Sequence, residues 1–267
     1  MIDGALPYLR CPVCEQSLAR FEHSLRCARG HAFDLAKQGY ANLTAGRMPH
    51  TGDTLEMIAD RAGFLTAGHY DFIADALIGY APAGLVLDAG TGTGHYLARV
   101  LDAAPAAIGL GVDVSKPALR RAARSHPRAA AVLADLWRPL PVADAAASVI
   151  LNVFAPRNGA EFHRVLRAGG VLVVVTPAAD HLTELIAAHD LIRVDPDKTA
   201  RVEESLGAHF TAAGTTTLRR LLHLTAAETR TLVGMTPSAR HARTLPDGPP
   251  QPTAVTAAVT VTAYHRS

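Results

Sequence analysis

Residues 85–96 read L-V-L-D-A-G-T-G-T-G-H-Y, from Leu85 to Tyr96. A short apolar run, Leu85 to Leu87, meets Asp88. Glycine then recurs at every second position, Gly90, Gly92 and Gly94, before a periodic helical segment, Tyr96 to Leu101. This pattern predicts a buried parallel strand, a tight turn and a helix N-terminus. Glycine lets the backbone take positive φ and lets a ligand approach without meeting a Cβ. Glycine-rich units of this kind mostly serve nucleotides, the dinucleotide fingerprint being G-x-G-x-x-G. Here the spacing is D-x-G-x-G-x-G, with an acid at the strand end. That suits a ligand whose amino-acid moiety carries an ammonium beside its carboxylate, with Asp88 set to meet the positive charge. A dinucleotide, or a turn that serves packing alone, stays open on this motif.

Two further runs narrow the choice. Ile108 to Val114 (I-G-L-G-V-D-V) brings Asp113 and Val114 to a strand end, where such sheets hold a ribose diol. Dinucleotide enzymes share that feature. Ala130 to Ala134 leads into Asp135 and Leu136, an expected adenine-edge contact, with a cap or turn aspartate as the alternative. Three successive strands each ending in Asp, after this glycine loop, resemble motif I and its sequel in the class I S-adenosylmethionine-dependent methyltransferases. The expected fold is α/β, a Rossmann-like seven-stranded sheet, preceded by a small zinc-binding module.

The chain of 267 residues has room for one large domain and a small appendage. A formal net charge of +2 excludes a global basic field, so any RNA contact must be local. No run is long enough for a membrane span, and no charged-then-apolar leader opens the chain; a soluble, cytoplasmic protein is expected.

All three cysteines fall in Cys11-Pro-Val-Cys14 and Cys27-Ala-Arg-Gly-His31, a C-x2-C-x12-C-x3-H spacing. Their odd number and a reducing compartment argue against disulfides. Two paired knuckles supply the four ligands of a closed tetrahedral zinc, structural rather than catalytic. His23 is expected to be solvated. Residues 1–46 are read as a zinc module for RNA recognition and residues 47–267 as the methyltransferase domain. Phe33 to Leu43 is expected to be the seam between them. The alternative is an RNA-facing surface with Arg20, Arg26, Arg29 and Lys37 on phosphate. Thr44 to Thr54 reads as a linker.

Thr54 to Ala67 and His69 to Tyr80 read as helices, with Tyr70 either a core aromatic or a cofactor contact. Ala147 to Val153 is the fourth strand of the core. Its end, Asn152-Val153-Phe154, lies at the switch point where methyl donor and acceptor should meet. Asn152 is suited to a base edge and Phe154 to stacking. Val171 to Thr176 is a fifth strand, and a helix is expected to start at His181 beside the crevice. Thr215 to Leu224 and Val255 to Tyr264 read as a late antiparallel pair. Asp247 to Pro252 reads as a loop.

With a zinc knuckle before such a core, the chain resembles the RlmA/TlrB family of 23S rRNA (guanine-N1)-methyltransferases. The matching stretches include C-P-V-C, C-A-R-G-H-A-F-D-L-A-K-Q-G-Y-A-N-L, F-L-T-A-G-H-Y, L-D-A-G-T-G-T-G-H-Y, N-V-F-A-P-R-N and V-T-P-A-A-D-H-L-T-E-L. The N-V-F-A-P-R-N form is closest to the macrolide-resistance branch, which methylates guanine 748 of a 23S rRNA hairpin loop. The sister branch acts on guanine 745. The resemblance implies S-adenosylmethionine and structural Zn2+ as cofactors, and Cys11, Cys14, Cys27 and His31 as zinc ligands. It also implies Tyr70, the loop Gly90 to Tyr96 with His95, and His181 as cofactor contacts. Thr93 departs from relatives that carry an acid in the loop. Asn152, Phe154 and Asp180 are candidates for catalysis, and Asp53, Asp180 and His181 for a general base, with none singled out. A homodimer sharing a basic cleft is the expected assembly, and a small-molecule (macrolide) methyltransferase is the rival reading.

Overall fold

The computed structural model describes residues 2–46, 50, 52–80, 83–189, 198–236 and 253–267. The expected loop at Asp247 lies outside these residues, as does part of the expected linker.

The N-terminal part opens with α1 (Ile2–Ala5) and a 3-10 turn, Leu6–Tyr8. Strands β1 (Leu18–Phe21), β2 (Ser24–Cys27) and β3 (Ala32–Asp34) then make a small antiparallel sheet. Strand β4 (Ala41–Asn42) follows. Along β2, Leu25 and Cys27 turn inward while Arg26 stays outside, the two-residue period of a half-buried strand.

Helices α2 (Leu55–Thr66) and α3 (Asp71–Ile78) precede β5 (Gly84–Ala89), the strand of the glycine loop. Two helix–strand units follow, α4 (His95–Ala103) with β6 (Ala107–Asp113) and α5 (Lys116–Ala122) with β7 (Ala129–Leu133), and then β8 (Ala147–Val153). The chain closes with α6 (Gly159–Val165), β9 (Leu166–Pro177), α7 (Thr183–His189), α8 (Lys198–Leu206), β10 (Phe210–Leu224), α9 (Ala226–Gly234) and β11 (Thr253–Arg266).

The large sheet runs β10-β11-β9-β8-β5-β6-β7-β4. From β4 to β9 the pairings are parallel, and β11 and β10 add an antiparallel edge. The seven expected strands are therefore joined by an eighth. Ala41 and Asn42 pair with Val132 and Leu133, so the tail of the zinc module extends the sheet. Leu9 bridges Val142, and the Arg10 N–H donates to Pro141 O at 2.9 Å. Leu9, Leu18 and Leu25 share one apolar layer with Leu85, Leu87 and Leu110. The division expected at residue 46 is thus crossed by strand pairing and by a continuous core. Phe33 to Leu43 lies at that seam, with Tyr40 and Leu43 buried.

Val86, whose side chain points opposite to those of Leu85 and Leu87, joins the layer on the other face with α3 and α4. Glycine in β6 makes room there. A Cβ at Gly109 would lie 2.7 Å from Leu101 of α4, and one at Gly111 would lie 2.8 Å from Thr91. The chain leaves β5 outward to β6 and β7, then returns to β8 on the other side. The carboxyl ends of β5 and β8 therefore form the crevice where open α/β sheets bind ligands. Among the described residues no helix is long and apolar enough to cross a membrane.

Candidate cofactor cleft and zinc centre

The β1–β2 hairpin brings Cys11, Cys14, Cys27 and His31 together, their ligand atoms all within 4.8 Å of one another. His31 Nδ1 stands 3.5 Å from Cys11 Sγ and 3.3 Å from Cys27 Sγ, and Cys14 Sγ stands 3.6 Å from Cys27 Sγ. A tetrahedral zinc, with bonds of about 2.3 Å to sulfur and 2.0–2.1 Å to nitrogen, sets its ligands roughly 3.5–3.8 Å apart. The donor set fits zinc with no open position. His23 is exposed, as expected. Of the basic residues of the module, Arg20 pairs with Asp3 at 2.6 Å and Arg26 lies over the Phe21 ring at 3.9 Å, while Arg29 and Lys37 are exposed.

The three loop glycines do different work. All have positive φ, +86° at Gly90, +54° at Gly92 and +79° at Gly94. A Cβ at Gly90 would lie 2.3 Å from the Cβ of Ala155, and one at Gly94 would lie 2.6 Å from Ser125 Oγ. These two glycines are demanded by packing. Only at Gly92 does the missing side chain face space, limited by Arg61 Nη1 at 3.4 Å. The expectation that glycine admits a ligand therefore applies to Gly92. Helix α4 begins at Gly94 without a side-chain cap, which leaves first-turn N–H groups for an anion.

Asp88 is buried and accepts a 2.7 Å hydrogen bond from the Thr91 hydroxyl. Burial pushes its carboxyl up to about 7 despite that bond. Asp113 accepts from Gly92 N and Ser115 N at 2.9 and 2.8 Å, one bond to each oxygen, so it braces the glycine loop; burial raises its pKa. Each oxygen keeps a lone pair for a ribose diol. Val114 follows it, partly exposed. Asp135 accepts from Trp137 N at 3.0 Å and stands 2.8 Å from His50 Nδ1. His50 and the exposed Trp137 approach with ring centroids 6.4 Å apart. Sequence reading passed over both residues; a lone tryptophan two positions after a strand-end aspartate was the available signal. Leu136 is buried, and its carbonyl accepts from Asn158.

Asn152 departs from expectation. It is fully buried, and its Nδ2 donates to Ala89 O at 3.1 Å and Pro156 O at 2.8 Å, tying the end of β5 to the loop after β8. Its donors are occupied and do not read a base edge. Its Oδ1 is buried with no hydrogen-bond partner among the described residues. An orphaned acceptor beside Ala89, a buried carboxyl at Asp88 and the missing Cβ at Gly92 together fit a ligand that brings an ammonium.

Tyr70, Phe154 and His181 form a triangle of rings with centroids 6.0–6.4 Å apart. Tyr70 is buried, edge-on to Phe64 at 5.1 Å, and burial raises its phenol well above the ordinary value. Phe154 takes φ +52°, a left-handed conformation uncommon for a non-glycine residue, and presents a half-open ring. His181 sits in the turn before α7 rather than at its first residue. It stands 3.4 Å from the Tyr70 hydroxyl, and burial pulls it down to about 4. Tyr96 is buried in the same apolar layer as Tyr70. His95 turns away, edge-on to Tyr96, and with Thr93, Arg99 and Arg121 lines a cavity of about 260 Å³ between α2, α4 and α5. Burial lowers its pKa, and Asp71 Oδ1 stands 3.8 Å from its Nε2.

The three candidates for a general base are all engaged. Asp180 is paired with Arg219 at 2.8 Å on the surface, which holds its carboxyl below the usual value. Asp53 is paired with Arg61 at 2.7 Å. The Nδ1 lone pair of His181 accepts the Ala258 N–H. Asp180 is therefore also removed from the ring cluster as a catalytic candidate, while Phe154 stays within it.

Residues 9–46 match the family described as RlmA, N-terminal, and residues 86–170 match a methyltransferase domain. A Micromonospora griseorubida protein assigned as a 23S rRNA (guanine-N1)-methyltransferase is 54% identical over 264 residues, covering 90% of each chain. The Streptomyces fradiae 23S rRNA (guanine(748)-N1)-methyltransferase is 48% identical over 248 residues, covering 90% of this chain and 89% of its own. A chain from the Haloferax volcanii complex between the Trm112 methyltransferase activator and a methyltransferase superposes with TM-score 0.50 at 17% identity. It covers 80% of this chain and 99% of its own, a likeness of fold alone.

Proposed function

The chain belongs to the family of 23S rRNA (guanine-N1)-methyltransferases, and on that premise we propose that its target is guanine 748 in a hairpin loop of 23S rRNA, the modification conferring resistance to tylosin- and mycinamicin-type macrolides. The reaction is methyl transfer from S-adenosylmethionine, and the zinc is structural. The observation that carries the choice of guanine is the likeness, along nine-tenths of the chain, to the Streptomyces fradiae enzyme.

When bound, the cofactor supplies a sulfonium-activated methyl group. The chain's own residues then do the rest. Asp88 and the Asn152 carbonyl meet the ammonium, Gly92 admits the amino-acid moiety, and Asp113 holds the ribose. Asp135 and Leu136 meet the adenine edge. Tyr70 and His181 form a rigid floor behind Phe154, whose exposed ring stacks on a guanine extruded from its loop. Guanine N1 would have to lose its proton as it is methylated, and because Asp53, Asp180 and His181 are engaged that proton would pass to solvent rather than to a side chain. Catalysis on this reading rests on alignment.

The arginine and lysine of the zinc module supply local phosphate contacts, consistent with the small net charge. A homodimer in the cytoplasm is part of the same reading; the outer edge of β10 has no partner strand among the described residues, and an open edge of that kind suits a second copy.

The test is methyl transfer to unmodified 23S rRNA, mapped by reverse transcription, since N1-methylation blocks Watson–Crick pairing and stops the copy. A cofactor-dependent stop at guanine 748 is expected. A stop at guanine 745 would assign the sister specificity, and label on a macrolide with none on RNA would overturn the RNA substrate.

A further inference from the structure

Arg61 has no place in the scheme above, yet it is the side chain that closes over the glycine loop. Among the described residues, a Cβ built at Gly92 has only Arg61 atoms within 4 Å, Nη1 at 3.4 Å and Cδ at 3.7 Å. The guanidinium is gripped from two sides: Nη1 by Asp53 Oδ2 at 2.7 Å, and Nη2 by donation to Met235 O at 3.0 Å. Its field also reaches Asp113 and Tyr96, where it opposes part of the rise that burial gives the pKa of each. A cation fixed in orientation, with N–H groups that no described residue takes and only partly screened from solvent, stands over the loop at Gly92.

We propose that Arg61 binds the carboxylate of the cofactor's amino-acid moiety, with Asp53 and Met235 holding the guanidinium in place. This rests on the S-adenosylmethionine reading. The charges match in kind. The carboxyls at the strand ends suit groups that are cationic or that donate hydrogen bonds, Asp88 the ammonium, Asp113 the ribose hydroxyls and Asp135 the adenine amino group. The cofactor's one anion needs a cation, and Arg61 is the one that meets the loop at Gly92. A guanidinium has two edges and accepts two carboxylates at once, so Asp53 need not leave. Pre-orientation by Asp53 and Met235 lowers the entropy lost when the carboxylate binds.

The experiment is calorimetry on the full-length, zinc-loaded protein with two ligands, S-adenosylmethionine and its decarboxylated analogue. The wild type is expected to bind the carboxylate-bearing ligand on the order of tenfold more tightly or better. Arg61→Gln should weaken that ligand to the level of the analogue and leave the analogue within about twofold of its wild-type affinity. Arg61→Lys keeps the charge without the planar fork; it should retain part of the discrimination, and it serves if the Gln variant does not fold. Equal wild-type affinities would overturn the assignment, as would an equal loss of both ligands in Arg61→Gln, which marks a purely structural clamp. Discrimination lost in Arg121→Gln and kept in Arg61→Gln would move the anion seat to the neighbouring cavity. A wild type that binds neither ligand would overturn the cofactor reading itself.

Discussion

The backbone N–H of Ala258 donates to Nδ1 of His181 at 3.1 Å, so the ring carries its proton on Nε2, facing the Tyr70 hydroxyl 3.4 Å away. Strand β11 thereby fixes the tautomer of a histidine in the turn before α7, and burial keeps its ring neutral. The folded group titrates at about 4, below an unfolded value near 6.5. Between those values the native state holds fewer protons than the unfolded one. The stability so contributed is complete above about pH 6.5 and is lost as the pH falls towards 4. Thermal unfolding across this window should show a steeper acid loss in the wild type than in His181→Gln. Parallel curves would show that His181 is not buried in its neutral form.

Asp88 titrates in the opposite sense. Burial raises it from 3.8 to about 7, so the free protein carries it largely protonated at mildly acid pH. An arriving ammonium needs the ionised form. Cofactor affinity should therefore rise with pH below about 7, up to roughly tenfold per unit, and level off above it. Asp88→Asn should bind more weakly and flatten the profile. Calorimetry at several pH values measures both, and a flat wild-type profile would remove Asp88 from the ammonium site.

The glycine loop separates stability from binding. Gly90→Ala adds a Cβ 2.3 Å from that of Ala155 at φ +86°, and should cost roughly 2–4 kcal/mol. Ala155→Gly in the same chain should recover the part due to the clash. Gly92→Ala, at φ +54° and facing the cleft, should cost about 1 kcal/mol of stability while weakening the cofactor about tenfold or more. Denaturant titration and calorimetry distinguish the two; equal effects on both quantities in each variant would contradict the assignment.

Phe154→Ala removes the exposed ring of the aromatic triangle. Base–aromatic stacking is worth about 1–3 kcal/mol, so methyl transfer to RNA should fall roughly five- to hundredfold with cofactor affinity intact. Alanine at the same φ of +52° keeps the backbone strain, which makes the comparison one of the ring alone. Equal losses of turnover and cofactor affinity would argue that Phe154 merely packs.

Zinc removal should not stay local. Cys11 and Cys27 lie in the same apolar layer as Leu87 and Val112 of the large sheet. Chelation, or Cys14→Ser, should lower the melting temperature of the whole chain and raise amide exchange along β4 and β7, which pair through Ala41 and Val132. An unchanged melting temperature would mean that the zinc hairpin folds independently of the sheet.

What could be read from the chain was contiguous. The glycine loop, the aspartates that end β5 and β6 or follow β7, and the four-ligand spacing each occupy a few adjacent residues, and backbone geometry there follows from local sterics and alternation. The long strands and most helices follow from the same periodicity. Strand β4 escaped because two residues carry no period. Arg61 and His50 escaped because a single charged or titratable residue has no local signature.

Residue type and spacing by themselves determined the sheet, the order of its central strands, the zinc ligands and the presence of a cleft at the ends of β5 and β8. Tertiary structure alone decided which atoms in that cleft are free. Asn152 has no donor left because Ala89 and Pro156, brought alongside by the sheet, accept both N–H groups. His181 is no base because Ala258, 77 residues away, holds its lone pair. Gly90 answers to the backbone-bound Cβ of Ala155 and Gly92 to the side chain of Arg61. A hydrogen-bonding group can serve one partner per lone pair or proton, and which partner arrives is a matter of distance in the folded chain.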